Sequence, residues 1–544
     1  MTHATNFLGT GFLGTGFLSQ RPARAQPEGE AEATPARRAR GPRLTGEIRP
    51  DEFGFDQARH LLWRAGFGGT TAQIATLASW GPEDAVDYLL EYDDIPFEND
   101  SGSDFDPDII RPLSAEERRM VARARASSDE EVLARVRVAR QMRERDDRQQ
   151  MAQIQKWWLR RMIQTPRPLE EKMTLFWHGH FAASYRGVQN SYHMLAQNAT
   201  FRANATTSFA ELLHAIIRDP AMLAFLNNNT SRKGSPNENL AREIMELFSL
   251  GEGNYSEQDI KEGARALTGY TFNDDRFIFD ERNHDDGRKT ILGRSGNLGG
   301  DEFVGAILAS RDCGPYIVRK LWNFFVSDLP ADDRGLDSDT RSLLRTLSST
   351  LTMNDYRLRP VLRRMFLSRA FYAPDVMAQQ IKSPVVLVVG AIRSLQTPVR
   401  DLSTLSDAME LMGQDIFLPP SVKGWDGGRA WINTATLMVR QNIMNYLILG
   451  KTAGGYDPLA SRQVYDTERL IGEIARVRAE RGETGELDAQ AFARDLLVLM
   501  LGRTPEEGVR ALTELAASRG NRMDRDVILG MLLLAGSMPE YQLC

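Results

Sequence analysis

From about Phe53 to the end of the chain, apolar side chains recur three and four residues apart. That period is the signature of one helical face, and each such face needs a neighbour to cover it. One stretch departs from it. Tyr270 to Gly293 (YTFNDDRFIFDERNHDDGRKTILG) alternates apolar and polar residues around Asn, Asp and Gly, the pattern of a β-hairpin or a pair of short strands. The expected fold class is therefore mainly α: a multi-helix globular core with a small β-hairpin insertion and a C-terminal helical bundle.

The punctuation between helices fixes an approximate layout. Asp56–Ala65 reads as a short helix stopped by Gly66, followed by helices near 71–79 and 82–92, the latter opened by Gly81-Pro82. An acidic loop over 93–112 carries Pro96, Pro107 and Pro112. Residues 114–164 read as one or two long helices with a break at Ser127-Ser128; the charged stretch Ala134–Arg148 reads as a solvated face, and Trp157-Trp158 as its docking end. Helices resume at 300–310, 313–326, 337–351, 356–367, 381–396 and 433–449. A break at Gly450–Asp457 precedes four or so more, so the expected division is 1–50 as leader, 51–449 as helical core and 450–544 as a C-terminal helical subdomain.

Composition narrows the classes of function. With 544 residues the chain can bury a large core, and 42% hydrophobic with 26% charged residues is ordinary for a globular protein. A net charge of −6 gives no electrostatic footprint for nucleic acid. No run approaches the roughly 18 apolar residues that a transmembrane helix needs. Two cysteines, Cys313 and Cys544, support neither a disulfide framework nor a thiolate-rich zinc site. The first residues contain a tandem FLGTG repeat over Phe7–Leu18, followed by Ala23-Arg24-Ala25-Gln26, which has the small-x-small form of a signal-peptidase site. Export to the periplasm or medium is the reading this supports. Met1–Asn6 has no Lys or Arg and Arg37-Arg38 follows the apolar run, so the alternative is a disordered, low-complexity leader or a misplaced start codon, with a cytoplasmic location; residues 26–50 read as a disordered tether in both cases.

Several long strings resemble one family. PLEEKMTLFWHGHF (168–181), RKGSPNENLAREIMELFSLGEGNYSEQDIKEGARALTGY (232–270), HDDGRKTILGRSGN (284–297) and PPSVKGWDGGRAWINTATL (419–437) are similar to the bacterial Domain of Unknown Function 1800 family, as are His60–Gly68, Val318–Trp322 and Met538–Gln542. The resemblance runs from about residue 53 to the C-terminus. It implies an exported protein, often with a twin-arginine leader, encoded beside a sulfatase- or phosphatase-like partner. This chain departs from that pattern in its leader. The resemblance implies no activity.

The residues themselves suggest a polar site. His178 and His180 flank Gly179 at the end of an amphipathic helix. On a continuous helix their imidazoles would point about 200° apart and could not share a ligand. A left-handed Gly179 would let them converge as metal ligands or as a general acid and base; otherwise they are packing groups that cap carbonyls. Glu243 and Glu246, three apart behind an Asn237 N-cap, share a helical face, and if buried together they need a cation or a shared proton. The alternative is that they are exposed or pair with Lys261 or Arg265. His284 opens the Asp286-Gly287 turn and could supply a third imidazole.

The sharp expectation is that His178, His180, Glu243, Glu246 and His284 converge on a divalent metal, zinc, manganese or iron, or on a proton-transfer site, with the first four as catalytic groups. A second expectation is a ligand lip made by Lys423, Trp425, Arg429 and Trp431, with Arg232 and Lys233 as a further anion contact; each has a structural alternative as a turn anchor or exposed turn. No P-loop, Gly-x-Ser-x-Gly elbow or dinucleotide fingerprint is present. Two functions follow: a metal-assisted hydrolase of a polysaccharide or ester, or a non-catalytic envelope scaffold acting with a sulfatase-like partner. An enzyme would gather the five side chains in one concave pocket, and a scaffold would disperse or saturate them.

Overall fold

The helical period is realised along nearly the whole chain in the computed structural model, which describes residues 44–97, 104–330, 332–452, 455–456, 463–483 and 485–544. The leader, with its repeat and cleavage-site reading, lies outside the described residues. Among these residues 23 helices account for a mainly α fold, and the strands form only short two-stranded antiparallel pairs. None of the helices is long and apolar enough to cross a membrane.

Local signals terminate helices much as expected. The long pair is Ala115–Ala126 and Glu130–Gln164, broken at Ser128, whose φ of 54° no helix interior accommodates. Trp157 and Trp158 are buried at the docked end of the second helix. The β insertion is two hairpins rather than one: Tyr270–Asn273 pairs with Arg276–Phe279, and Lys289–Ile291 pairs with Arg294–Gly296. Their turns use Asp274 (φ 60°) and Leu292-Gly293 (φ 47° and 80°). Asp286-Gly287, expected as the hairpin turn, instead lies between the two hairpins.

Helix Pro168–His180 organises the centre. Every residue in it except Gly179 is buried, so this is a helix covered on all sides. Its polar residues are therefore anchored by side chains. Glu171, fully buried, accepts hydrogen bonds from Trp158 Nε1 at 2.8 Å, from Arg202 Nε at 2.8 Å and from Arg161. Burial opposes its charge, but Arg202 and Arg161 outweigh it and hold the carboxyl below its ordinary range.

The C-terminal helices, Thr467–Glu480, Ala489–Leu501, Glu506–Ser518 and Arg525–Ser537, match the number expected, yet they do not stand apart. The described residues from 44 to 544 form one compact unit, and the break at Gly450 is a left-handed helix cap. Buried Arg59 donates to the carbonyls of Leu499 and Met500 at 2.9 and 3.0 Å, and the backbone of Cys544 pairs with that of Gln380. The final residues thus pair with the segment 380–382, Ile381 bridging Leu543.

Candidate functional site

A cavity of about 320 Å³ opens beside helix Pro168–His180. That helix contributes Lys172, Leu175, Phe176, Gly179 and His180; helix Cys313–Phe325 adds Lys320, Asn323 and Phe324; the first helix adds Trp63 and Arg64. The remaining wall is Gln380–Ser383, Gln414, Asp328, Cys544 and the glycine-rich loop with Lys423, Trp425, Asp426 and Trp431. Five cations face two carboxylates, and one of those, Asp426, already pairs with Lys423 at 2.9 Å. Two wider grooves, along Ser342–Arg364 and Arg111–Val132, are open to solvent and have no buried charged side chain.

Apart from Lys423, the cavity lysines make no ion pair with a carboxylate among the described residues. Lys172 is 4% exposed; its ammonium lies 5.1 Å from the Phe67 ring and 5.7 Å from the Phe324 ring, and it reaches the Trp63 carbonyl at only 3.4 Å. Burial pushes it down to about 7, with attraction to Cys544 opposing this and repulsion from Arg64 adding to it. Lys382 is fully buried between the Trp63 and Tyr541 rings, each 4.1 Å away, and donates to the Tyr541 carbonyl at 2.7 Å. Burial holds it well below its ordinary value, and burial also lowers Lys320. Arg64 is engaged otherwise: it donates to the Phe325 and Val326 carbonyls at 2.9 and 3.1 Å, satisfying the end of helix Cys313–Phe325.

The two histidines diverge. Gly179 stays helical, so the helix runs through His180 and its neighbouring imidazoles take opposite sides. His178 Nε2 accepts the Phe417 amide at 2.9 Å, and its ring lies among Trp158, Phe417 and Trp425. His180 turns to the cavity, with Nε2 2.9 Å from the Phe248 carbonyl. A carbonyl only accepts, so Nε2 carries the proton and Nδ1 keeps its lone pair. Burial pushes both rings down to about 3, assisted at His180 by Lys320. At neutral pH they are uncharged.

The expected five-residue convergence does not form. Glu243, on helix Asn239–Glu246, is half-buried, its carboxyl raised by burial and then by Glu246. Glu246 accepts a hydrogen bond from the Tyr255 hydroxyl at 2.7 Å. His284 packs on Phe279 and pairs through Nδ1 with the Thr268 carbonyl at 2.8 Å. Neither glutamate nor His178 or His284 lines the cavity, and no three His, Cys, Asp or Glu side chains among the described residues are placed to hold a metal.

The loop expectation divides. Lys423, Trp425 and Trp431 line the cavity, whereas Arg429 is exposed and does not. Gly424 has φ +83°, and a Cβ there would collide with the Gly179 carbonyl oxygen, so a glycine at 424 is what lets loop and helix end meet. Arg232 and Lys233 lie on an exposed turn elsewhere, with Lys233 paired to Asp286 at 2.7 Å. The residues missed by sequence reading are Arg64, Lys172, Lys320 and Lys382. Arg64, Lys172 and Lys320 lie within the strings that carry the family resemblance, and those strings were the available signal.

Among the described residues, a mainly α fold carrying a cationic, indole-walled cavity defines the class. Residues 60–543 match the family described as Protein of unknown function (DUF1800), and the chain belongs to that family. No curated protein and no solved structure matches it.

Proposed function

We propose that the cavity binds an oxygen-rich organic anion about the size of a monosaccharide, such as an acidic sugar, against Trp425 and Trp431. The observation that carries this reading is the set of largely desolvated lysines, Lys172, Lys320 and Lys382, which line one cavity and make no ion pair with a carboxylate among the described residues. Each such group costs the fold several kcal/mol when left unpaired. An anionic ligand offsets that cost on binding. The volume suits a small ligand, since about 300 Å³ is the lower end of small-molecule sites. Amphipathic indoles beside cations are suited to a ring with an apolar face and an acidic substituent.

This reading replaces metal assistance with fixed ammonium groups, because the proposed metal ligands are dispersed. By the criterion set from sequence, dispersal of those five favours a scaffold; the unsaturated lysines of the cavity favour a ligand site built from other residues. Export remains part of the proposal, supported by the Phe7–Leu18 repeat and the Ala23–Gln26 segment.

Titrating tryptophan fluorescence with methyl glucuronide tests it, with neutral methyl glucoside as control. Saturable quenching by the acid alone is expected, and Trp425→Ala should weaken it about tenfold, equivalent to about 1.4 kcal/mol. Equal responses to acid and neutral sugar, or none to either, refute the reading.

A further inference from the structure

We propose that Lys172 is a nucleophile that forms an imine with a carbonyl-bearing organic anion held in this cavity. The inference rests on the proposed anion site and adds a covalent step to it. Four observations converge on Lys172. It lines the cavity; aromatic rings of Phe67 and Phe324 surround it; no carboxylate among the described residues neutralises it; and its single hydrogen bond is long. A lysine desolvated in an apolar site next to other cations is an activated amine. With Lys172 brought to about 7, about half of it is free amine at neutral pH.

Lys382 is unsuited to this role, because its ammonium is already clamped by the Tyr541 carbonyl and two rings. Lys320 and Lys423 are placed on other walls and can hold the carboxylate of the ligand. The chemistry balances without an oxidant or reductant. The Nζ lone pair attacks the carbonyl carbon, the π pair of the C=O bond moves to oxygen, and that oxygen takes up a proton. That proton comes from Nζ and gives a carbinolamine; the second N–H proton passes to its hydroxyl, the C–O bond breaks, and water leaves as the nitrogen lone pair forms the C=N bond. One amine and one carbonyl become one imine and one water.

The test is reductive trapping with pyruvate and sodium cyanoborohydride at pH 7, followed by peptide mapping of the adduct. The reagent delivers hydride to C=N and fixes the product as a secondary amine. Three and a half pKa units raise the free-amine fraction about a thousandfold, and the lower basicity takes back part of it, so Lys172 should be labelled on the order of a hundredfold faster than exposed lysines. Lys172→Arg should abolish the dominant adduct while keeping the positive charge, and methyl glucuronide, which has no free carbonyl, should protect Lys172 in the wild type. Mapping the wild type alone already decides the matter if the variant fails to fold. Even labelling across surface lysines overturns the imine. If methyl glucuronide binds and no Lys172 adduct forms, the imine fails and the anion site stands. If the adduct forms at Lys172 but methyl glucuronide neither binds nor protects, the amine assignment stands and the anion site fails.

Discussion

Lys172 shows what a single residue can do against its own fold. The folded state releases this proton near pH 7, whereas an unfolded chain holds it to about 10.5. Between those values the unfolded state binds more protons, so folding is progressively disfavoured as pH falls from about 10.5 to 7. Lys172→Met removes that penalty, worth about 2–4 kcal/mol at neutral pH after some relaxation. We expect its Tm to exceed the wild type by a few degrees at pH 7 and the difference to shrink towards pH 10, read by scanning fluorimetry. A variant less stable than wild type at pH 7 would make Lys172 a structural lysine. None of this was legible in the string. A lysine between Glu171 and Met173 reads as solvent-facing, and only the covering of helix Pro168–His180 on every side buries it. The histidines were legible as unusual residues, but their partners, the Phe417 amide and the Phe248 carbonyl, lie 239 and 68 residues away.

At the scale of elements, the site depends on one crossing: the glycine loop laid across the end of helix Pro168–His180. A helical glycine costs about 1 kcal/mol relative to alanine, which made Gly179 look like a helix stop. The structure keeps it helical, and the close approach is made by Gly424 against the Gly179 carbonyl oxygen. Gly424→Ala should cost at least about 2 kcal/mol, from positive φ and collision together, and should remove the fluorescence response to methyl glucuronide. Gly293→Ala is the control, since Gly293 has φ +80° with nothing within 4 Å of a built Cβ; it should cost about 1 kcal/mol and leave the response intact. Equal losses in urea denaturation would show that the approach to Gly179 is not a constraint. Helix ends set by local chemistry, such as Ser128 and Gly450, were readable from sequence. The hairpin was readable as strand but not in register, because turns at Asp274 and Leu292-Gly293 compete locally with the stronger Asp286-Gly287 signal.

Across the whole molecule, the cavity draws its wall from Trp63 to Cys544, so no local window of sequence could reveal it. The class of fold was readable because it rests on period alone; the site was not, because it rests on closure. The C-terminal helices illustrate the difference. Their number follows from pattern and turn residues, but their packing into the first helices follows from Arg59, whose buried guanidinium finds its acceptors at Leu499 and Met500. The same closure excludes water from Lys172 and Lys382, half-buries Lys320, and so sets the charge imbalance on which the account depends. Calorimetric titration of methyl glucuronide at pH 7, repeated in two buffers of different ionisation heat, measures that imbalance directly. Facing Lys172 are Arg64, Lys320, Lys382 and Lys423 as cations, Asp328, Asp426 and Cys544 as acids, and neutral His180. A bound anion favours the charged amine and raises its pKa, so saturable binding should take up a fraction of a proton at pH 7 and weaken as pH rises from 7 to 9. Absence of saturable heat, or binding with no proton uptake and no weakening above pH 7, would contradict the account.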